Sequence, residues 1–347
     1  MKTLCLYHSV DLDGWMSAAI VKHHFLSTNP IGTYTIGDLD NDTVEGVVNL
    51  EVLENNTINS LTFKGYTYGD KVPDVSNYHR IIMCDMALLK GVMEQLHEDH
   101  TKEIIWLDHH YSAIHDSELP LKYNDLEGIR DTKYSACELT WWYYFPEIKM
   151  PEIVRLLGRY DCFGHKGTNE EIQVLEFQYG ARNAINNYNT AYDYLQYCLE
   201  DDKNEVEISD HVITVLYISG KVIYEYLCQE AKALYNNGID IQLETTTVNG
   251  TRVPDITGMV HYKFKLINRE RFNPINFGID YHKDGYDGCA CFWRTPKGWS
   301  FSLYNDNGKV DCSNIAKYFG GGGHKGAAGF IFKDGEHIDT FINSRRI

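Results

Sequence analysis

Short apolar runs alternate with segments of helical period through the first half of the chain, the pattern of an α/β fold. Residues 3–7, 80–84 and 103–107 read as buried strands, with helices expected over 14–25 and near 88–97. Residues 44–68 form a β-rich excursion to which the pattern gives no place. Helical periodicity then dominates over 134–144, 151–159, 170–179 and 190–199. A long amphipathic pattern over 205–236 closes on Asn237-Gly238, a helix stop. From Ile239 the residues turn β-rich, with strands expected at 258–264, 276–279, 289–294 and 300–303 and a helix near 313–319. The expected architecture is an α/β parallel-sheet domain (1–204), a linker helix (205–238) and a smaller α+β domain (239–347).

Three of the expected strands run directly into metal-ligand chemistry. The first leads into His8-Ser-Val-Asp11-Leu-Asp13-Gly14, the second into Asp85, the third into Asp108-His109-His110. Ligands collect outside the carboxyl ends of parallel strands, so these groups converge on one edge. Asp161, after a helix, can enter from the side. Taken singly, each has a plain structural role: Asp13 as a helix cap, Asp85 as a turn former, His109-His110 as an exposed pair. Their recurrence at three strand ends favours a metal site. Carboxylates and imidazoles without thiolates suit two divalent ions, Mn²⁺ first, with Mg²⁺ or Co²⁺ as alternatives.

Composition narrows the partners. A net charge of −17, from 49 acidic and 32 basic side chains, repels long duplex nucleic acid but permits a small anion held at a local positive site. The nine cysteines are odd in number and contain no Cys-x-x-Cys pair, which speaks against a disulfide framework or a zinc knuckle. The apolar run at the start is too short for a signal peptide, and no window is long enough to span a bilayer. The expectation is a reducing cytoplasm and no membrane.

A second constellation is Phe319-Gly-Gly321-Gly322-Gly323-His324-Lys325-Gly-Ala-Ala-Gly329. Consecutive glycines let backbone amides approach a phosphate, and His324 and Lys325 add donors and charge. It lacks the Gly-Lys-Ser/Thr ending of a P-loop. The aromatic run 141–144 reads as core, and Phe292, Trp293 and Trp299 fit an alternating β core as well as a base platform. His23-His24, His115 and His165 read as surface or loop residues, and Cys289 and Cys291 as two thiols on one strand face.

The order Asp11-x-Asp13, Asp85, Asp108-His109-His110, Asp161 and Gly-Gly-Gly-His324-x-x-Ala-Ala-Gly resembles the DHH phosphoesterases with a C-terminal DHH-associated domain, nanoRNase or oligoribonuclease-like, over essentially the whole chain. That resemblance implies one metal held by His8, Asp11 and Asp85, and a second by Asp13, Asp85, His109 and Asp161. It makes Asp108 an orienting residue, lets His110 contact the scissile phosphate, and implies an active site in the cleft between domains. Two positions depart from the family pattern: His8 lies three rather than four residues before Asp11, and Tyr304 stands where an arginine often follows Ser-Leu. Arg294 on a neighbouring strand is a candidate to replace that charge, or Tyr304 to stack on a base. The implied activity is hydrolysis of short oligoribonucleotides or dinucleotides to 5′-mononucleotides. Alternatives are a cyclic dinucleotide or 3′-phosphoadenosine 5′-phosphate as substrate, a RecJ-like single-strand exonuclease, or a non-catalytic nucleotide sensor.

Overall fold

The computed structural model describes residues 1–28, 49–54, 57–67, 70–114, 125–200, 208–248, 251–253, 260–270, 272–332, 338 and 342. The chain divides into two units, Met1–Ile223 and Tyr224–Ile347.

The first unit runs β1 (Lys2–His8), α1 (Leu12–Thr28), β2 (Asn49–Glu54), β3 (Thr57–Tyr66), β4 (Arg80–Cys84), α2 (Lys90–Glu98), β5 (Glu103–Leu107), α3 (Tyr111–Ile114), α4 (Ala136–Tyr144), α5 (Glu152–Asp161), α6 (Glu171–Ala184) and α7 (Tyr188–Glu200). A 29-residue helix, α8 (Ile208–Asn236), contains the division between the units. The sheet order is β2-β3-β1-β4-β5, parallel except for β2 against β3. The excursion at 44–68 is thereby placed in part: β3 is an inner strand beside β1, while residues 44–48, 55–56 and 68 lie outside the described residues.

Strand alternation explains the layers. Leu4 and Leu6 of β1 face one side, packing with Ile81, Met83 and Trp106 beneath Met93 and Leu96 of α2. Cys5 and Tyr7 face the other, with Ile82, Cys84, Ile105 and Leu107 against Ala18 and Val21 of α1. A sheet covered on both faces buries every central side chain, which is why these strands read as unbroken apolar runs. Each fully buried aliphatic side chain there contributes roughly 1.5–3 kcal/mol. The outer side of α1 packs Met16 and Ile20 into a helical layer with Trp141, Val154, Phe177 and Leu216.

Register then sets the site. Tyr7 pairs with Cys84, and Cys84 with Leu107, so the next residues, His8, Asp85 and Asp108, stand side by side at the carboxyl edge of the sheet. The turn out of β1 closes tightly, because a side chain at Gly14 would place Cβ 1.9 Å from the His8 carbonyl oxygen.

The second unit holds β6 (Ile239–Val248), β7 (Thr251–Val253), β8 (Val260–Asn268), β9 (Gly288–Thr295), β10 (Gly298–Tyr304), α9 (Cys312–Tyr318), β11 (Gly322–Gly323) and β12 (Ala327–Phe332). Its seven-stranded sheet, β11-β12-β10-β9-β8-β6-β7, is antiparallel apart from β8 with β9. Phe264, Phe301, Leu303 and Phe330 build its core with Ile315 of α9. The strand expected at 276–279 is instead a 3₁₀ turn, Pro274–Phe277. Asn273 caps it through the Ile275 amide, Pro274 opens it, and Gly278 ends it at φ 73°, a helix start and stop that outweigh the apolar run. All nine cysteines are free thiols, and Cys289 and Cys291 are buried. Among the described residues no helix is long and apolar enough to cross a membrane.

Gly14→Ala is expected to lower stability by about 1–3 kcal/mol through overpacking against a backbone that cannot move aside. Urea denaturation of the two proteins checks this, and equal midpoints would contradict it.

Candidate metal centre

Asp85 is the hub. It follows β4 directly and is 1% exposed. Its backbone lies at φ 60°, where a side chain other than glycine costs about 1–3 kcal/mol. The Asp85 amide donates to the Leu107 carbonyl (2.9 Å), which fixes the unusual turn to β5. Its Oδ1 is buried and accepts no hydrogen bond. Burial first, then the charges of Asp13, Asp11, Asp161 and Asp108, push its pKa well above the usual carboxylate range.

Around it stand His109, Asp13 and Asp161. The His109 Nε2 is 3.3 Å from Asp85 Oδ1, 3.2 Å from Asp161 Oδ2 and 3.7 Å from Asp13 Oδ2. Burial lowers the His109 pKa, against the pull of Asp13, so its ring is neutral and fit to act as a ligand at neutral pH. Asp13 is buried and does not cap its own helix. Its Oδ2 and Oδ1 accept the amides of Ala136 and Cys137 at 2.8 Å each, the open N-terminus of α4. The same helix start carries a capping box between Ser135 and Glu138. Asp161 ends α5 with its side chain 30% exposed. Burial and the charges of Asp13 and Asp11 raise its pKa.

Asp108 arranges the histidines. It is fully buried, and its Oδ1 accepts the His109 amide (2.8 Å), the His110 amide (3.2 Å) and the His110 ring Nδ1 (2.9 Å). The Trp106 indole donates to its other oxygen (3.2 Å). Burial opposes charge on His110, but the Asp108 hydrogen bond and the surrounding carboxylates outweigh it and push the pKa up to about 9. His110 Nδ1 also lies 3.6 Å from Asp85 Oδ1.

The ligand atoms form two groups within 4.8 Å, Asp13-His109-Asp161 and Asp85-His109-His110. A buried carboxylate oxygen without a hydrogen bond, a neutral imidazole and convergent hard donors together fit a divalent cation. His8 and Asp11 belong to neither group. The His8 Nε2 is 3.6 Å from Asp11 Oδ2, and Asp11 also accepts the Gly14 amide (3.0 Å) at the start of α1.

The glycine motif folds as a hairpin, with Gly322 opposite Gly329 and Gly323 opposite Ala328. A Cβ at Gly321 would lie 2.0 Å from the Gly329 carbonyl, so strand approach alone requires this glycine. The Gly321 amide donates to Ala316 (2.8 Å) and the His324 amide to Ala327 (2.7 Å), so neither is offered to a phosphate. The side chains of His324 and Lys325 are exposed at the hairpin tip. Tyr304 pairs with Ala327 beside this hairpin, whereas Arg294 pairs with Trp299. Five strand positions separate Trp299 from Tyr304, roughly 17 Å at about 3.4 Å per residue, so Arg294 does not replace a charge at Tyr304.

Other expectations need correction or extension. His165 lies in the turn after α5, as a loop residue, but is not at the surface: it is 2% exposed, donates from Nδ1 to the Arg159 carbonyl (2.9 Å) and stacks on Tyr160. His23 and His24 are half-buried against Phe145 and Tyr144, and His115 lies outside the described residues. Trp141 and Phe292 are core residues. Arg182 is a further charged residue of this site. Desolvation opposes its charge, yet Tyr160, Tyr179, Asp11 and Asp161 together raise its pKa. Its guanidinium lies 5.2 Å and 5.6 Å from the Tyr160 and Tyr179 ring centres. No motif marks this helix residue, and only the fold brings it within electrostatic reach of Asp161.

No family model matches the chain. It is 26% identical over 339 residues to the uncharacterized protein R106 of Acanthamoeba polyphaga mimivirus, covering 94% of this chain and 66% of that protein. The chain thus spans just under two thirds of that relative's length. Among solved structures it is similar to the pGpG-specific phosphodiesterase PggH from Vibrio cholerae, at 11% identity and a TM-score of 0.43 over 99% of this chain and 96% of that one. It is also similar to an exopolyphosphatase-related protein from Bacteroides fragilis, at 14% identity and a TM-score of 0.42 over 98% and 89%.

Asp85, Asp161, Glu138 and His110 all hold their protons more tightly in the folded state, with Glu138 raised to about 7 by burial. Stability from such groups is complete below their unfolded pKa values and is lost as pH rises through the folded ones. His109 has the opposite sign, but its effect falls below pH 6.5. Metal-free protein is therefore expected to melt at progressively lower temperature between pH 6.5 and about 9. Mn²⁺ should reverse the slope, since protons and metal compete for the same carboxylates. Thermal melts in chelator and in Mn²⁺ test this, and identical pH profiles would contradict it.

Proposed function

We propose that this chain is a DHH-type, two-metal, Mn²⁺-dependent phosphoesterase that hydrolyses short oligoribonucleotides or dinucleotides to 5′-mononucleotides. The observation that carries the reading is the Asp85 carboxylate, buried with an oxygen that accepts no hydrogen bond, inside a ring of Asp and His donors.

Asp13, Asp85, His109 and Asp161 would hold one ion and His8, Asp11 and Asp85 the other, with Asp85 common to both. Two such ions, when bound, supply water activation near neutral pH and compensate charge on phosphoryl oxygens.

The chain's own groups do the remaining work. The α4 amides fix Asp13 in position. Asp108 holds the His109 and His110 amides and the His110 ring, so both imidazoles are preset before substrate arrives. With Nδ1 committed to Asp108, His110 is left to donate to a phosphoryl oxygen from Nε2. Arg182 adds a positive charge within electrostatic reach of Asp161. In the second unit, the hairpin tip with His324 and Lys325, and Tyr304 beside it, offers donors suited to a phosphate or nucleotide. A handful of local cations suits a small anionic substrate on a chain of net charge −17.

Purified protein with Mn²⁺ is expected to release mononucleotide from a 5′-phosphorylated diribonucleotide, and Asp85→Ala to lower kcat on the order of 10³-fold or more. Longer RNA and DNA, cyclic dinucleotides and 3′-phosphoadenosine 5′-phosphate belong in the same assay, and a faster rate on one of them would reassign the substrate. Turnover of none of them, with nucleotide binding unaffected by Asp85→Ala, would contradict the hydrolase reading and leave a nucleotide sensor.

A further inference from the structure

Two non-glycine residues among those described have positive φ: Asp85 at the hub of the carboxylate cluster and Phe163 at 57°. Phe163 stands two residues beyond Asp161, in the turn that leaves α5. Its amide donates to the Tyr160 carbonyl (3.2 Å) and its carbonyl accepts the Lys166 amide (3.1 Å), so the backbone is fixed on both sides of the ring. The side chain is 48% exposed. A phenylalanine in a left-handed conformation is disfavoured sterically, and an exposed ring gains little from burial. Glycine would satisfy this backbone at no steric cost.

The surroundings suit a nucleotide. The Lys166 Nζ lies 4.7 Å from the Phe163 ring centre. Tyr160, one residue before Asp161, carries the Arg182 guanidinium on its ring, and that cation is stabilised by Asp161 and Asp11. A half-exposed aromatic ring with a lysine over it thus stands two residues along the chain from a candidate metal ligand, and a second cation lies on the ring of the residue before that ligand. An aromatic face binds any base by stacking, and adjacent cations meet the phosphate.

We propose that Phe163 is a stacking platform for a nucleobase, with Lys166 and Arg182 supplying charge for the phosphate attached to it. The strained backbone holds the ring out of the core, in the position where a base bound beside Asp161 can lie on it. The assignment rests on the phosphoesterase reading in taking the ligand to be a nucleotide, but its test does not depend on turnover.

The probes are AMP and ribose 5-phosphate, titrated calorimetrically into the full chain in Mn²⁺. Phe163→Ala is expected to weaken AMP binding roughly 10-fold while leaving ribose 5-phosphate unchanged, and Phe163→Trp to keep AMP within about 3-fold of wild type. Phe163→Gly should bind AMP as weakly as Phe163→Ala yet melt at higher temperature than wild type, because the backbone strain is relieved. A purely structural Phe163 would give the reverse, a less stable glycine variant with unaltered ligand preference. Equal AMP affinity in wild type and Phe163→Ala overturns the platform, as does a loss shared equally by both ligands. A protein that shows the expected AMP pattern but cleaves no dinucleotide overturns the hydrolase reading and leaves the platform standing.

Discussion

Repulsion among carboxylates is the constraint on which the first unit turns. Asp85 is buried within the field of Asp11, Asp13, Asp108 and Asp161, and burial and neighbouring charge both oppose its ionised form. A protein interior tolerates such a group only when it is protonated or matched by cations. Much of the local architecture serves to keep these acids close: the left-handed backbone at Asp85, the α4 N-terminus against Asp13, and the backbone and ring donors that saturate Asp108. Each device has its own cost or its own partner, and together they preset a site for positive charge.

The parallel sheet makes this arrangement possible. Adjacent strands in register end at one edge, so three stretches remote in sequence deliver side chains to the same few ångströms. The helices then close the site from the side. α1 returns over β1 through the tight turn at Gly14, α4 presents its amides, and α5 ends in Asp161. The division of roles follows from chemistry. Asp13 and Asp108 have their oxygens engaged by N–H donors, whereas Asp85 keeps an oxygen without one.

Much of this was legible in the amino-acid sequence because it depends on local periodicity. Strands β4 and β5 are short, unbroken apolar runs that end abruptly in acids, the pattern of strands buried on both faces. What escaped depends on contacts between distant segments. Nothing near Asp13 announces that its partners are the amides of residues 136 and 137, so it resembled an ordinary cap. Arg294 and Tyr304 look interchangeable until strand register places them at opposite ends of one hairpin. His165 is polar and follows a glycine, yet a ring partner and a carbonyl acceptor make its burial acceptable. The turn at Pro274–Phe277 was legible, since Asn-Pro before it and glycine after it are helix punctuation, but the apolar residues between drew the reading toward a strand. The glycine motif was recognised for its composition, while strand approach at Gly321, rather than an open amide, accounts for that glycine.

The most direct test of the central claim is the anomalous scattering of manganese in a crystal of the protein grown with Mn²⁺. The account predicts strong peaks bounded by Asp13, Asp85, His109 and Asp161, with a second peak beside Asp85 on the side of His8 and Asp11. A fully ordered site without manganese, with Asp85 protonated and hydrogen-bonded to its neighbours, would contradict it.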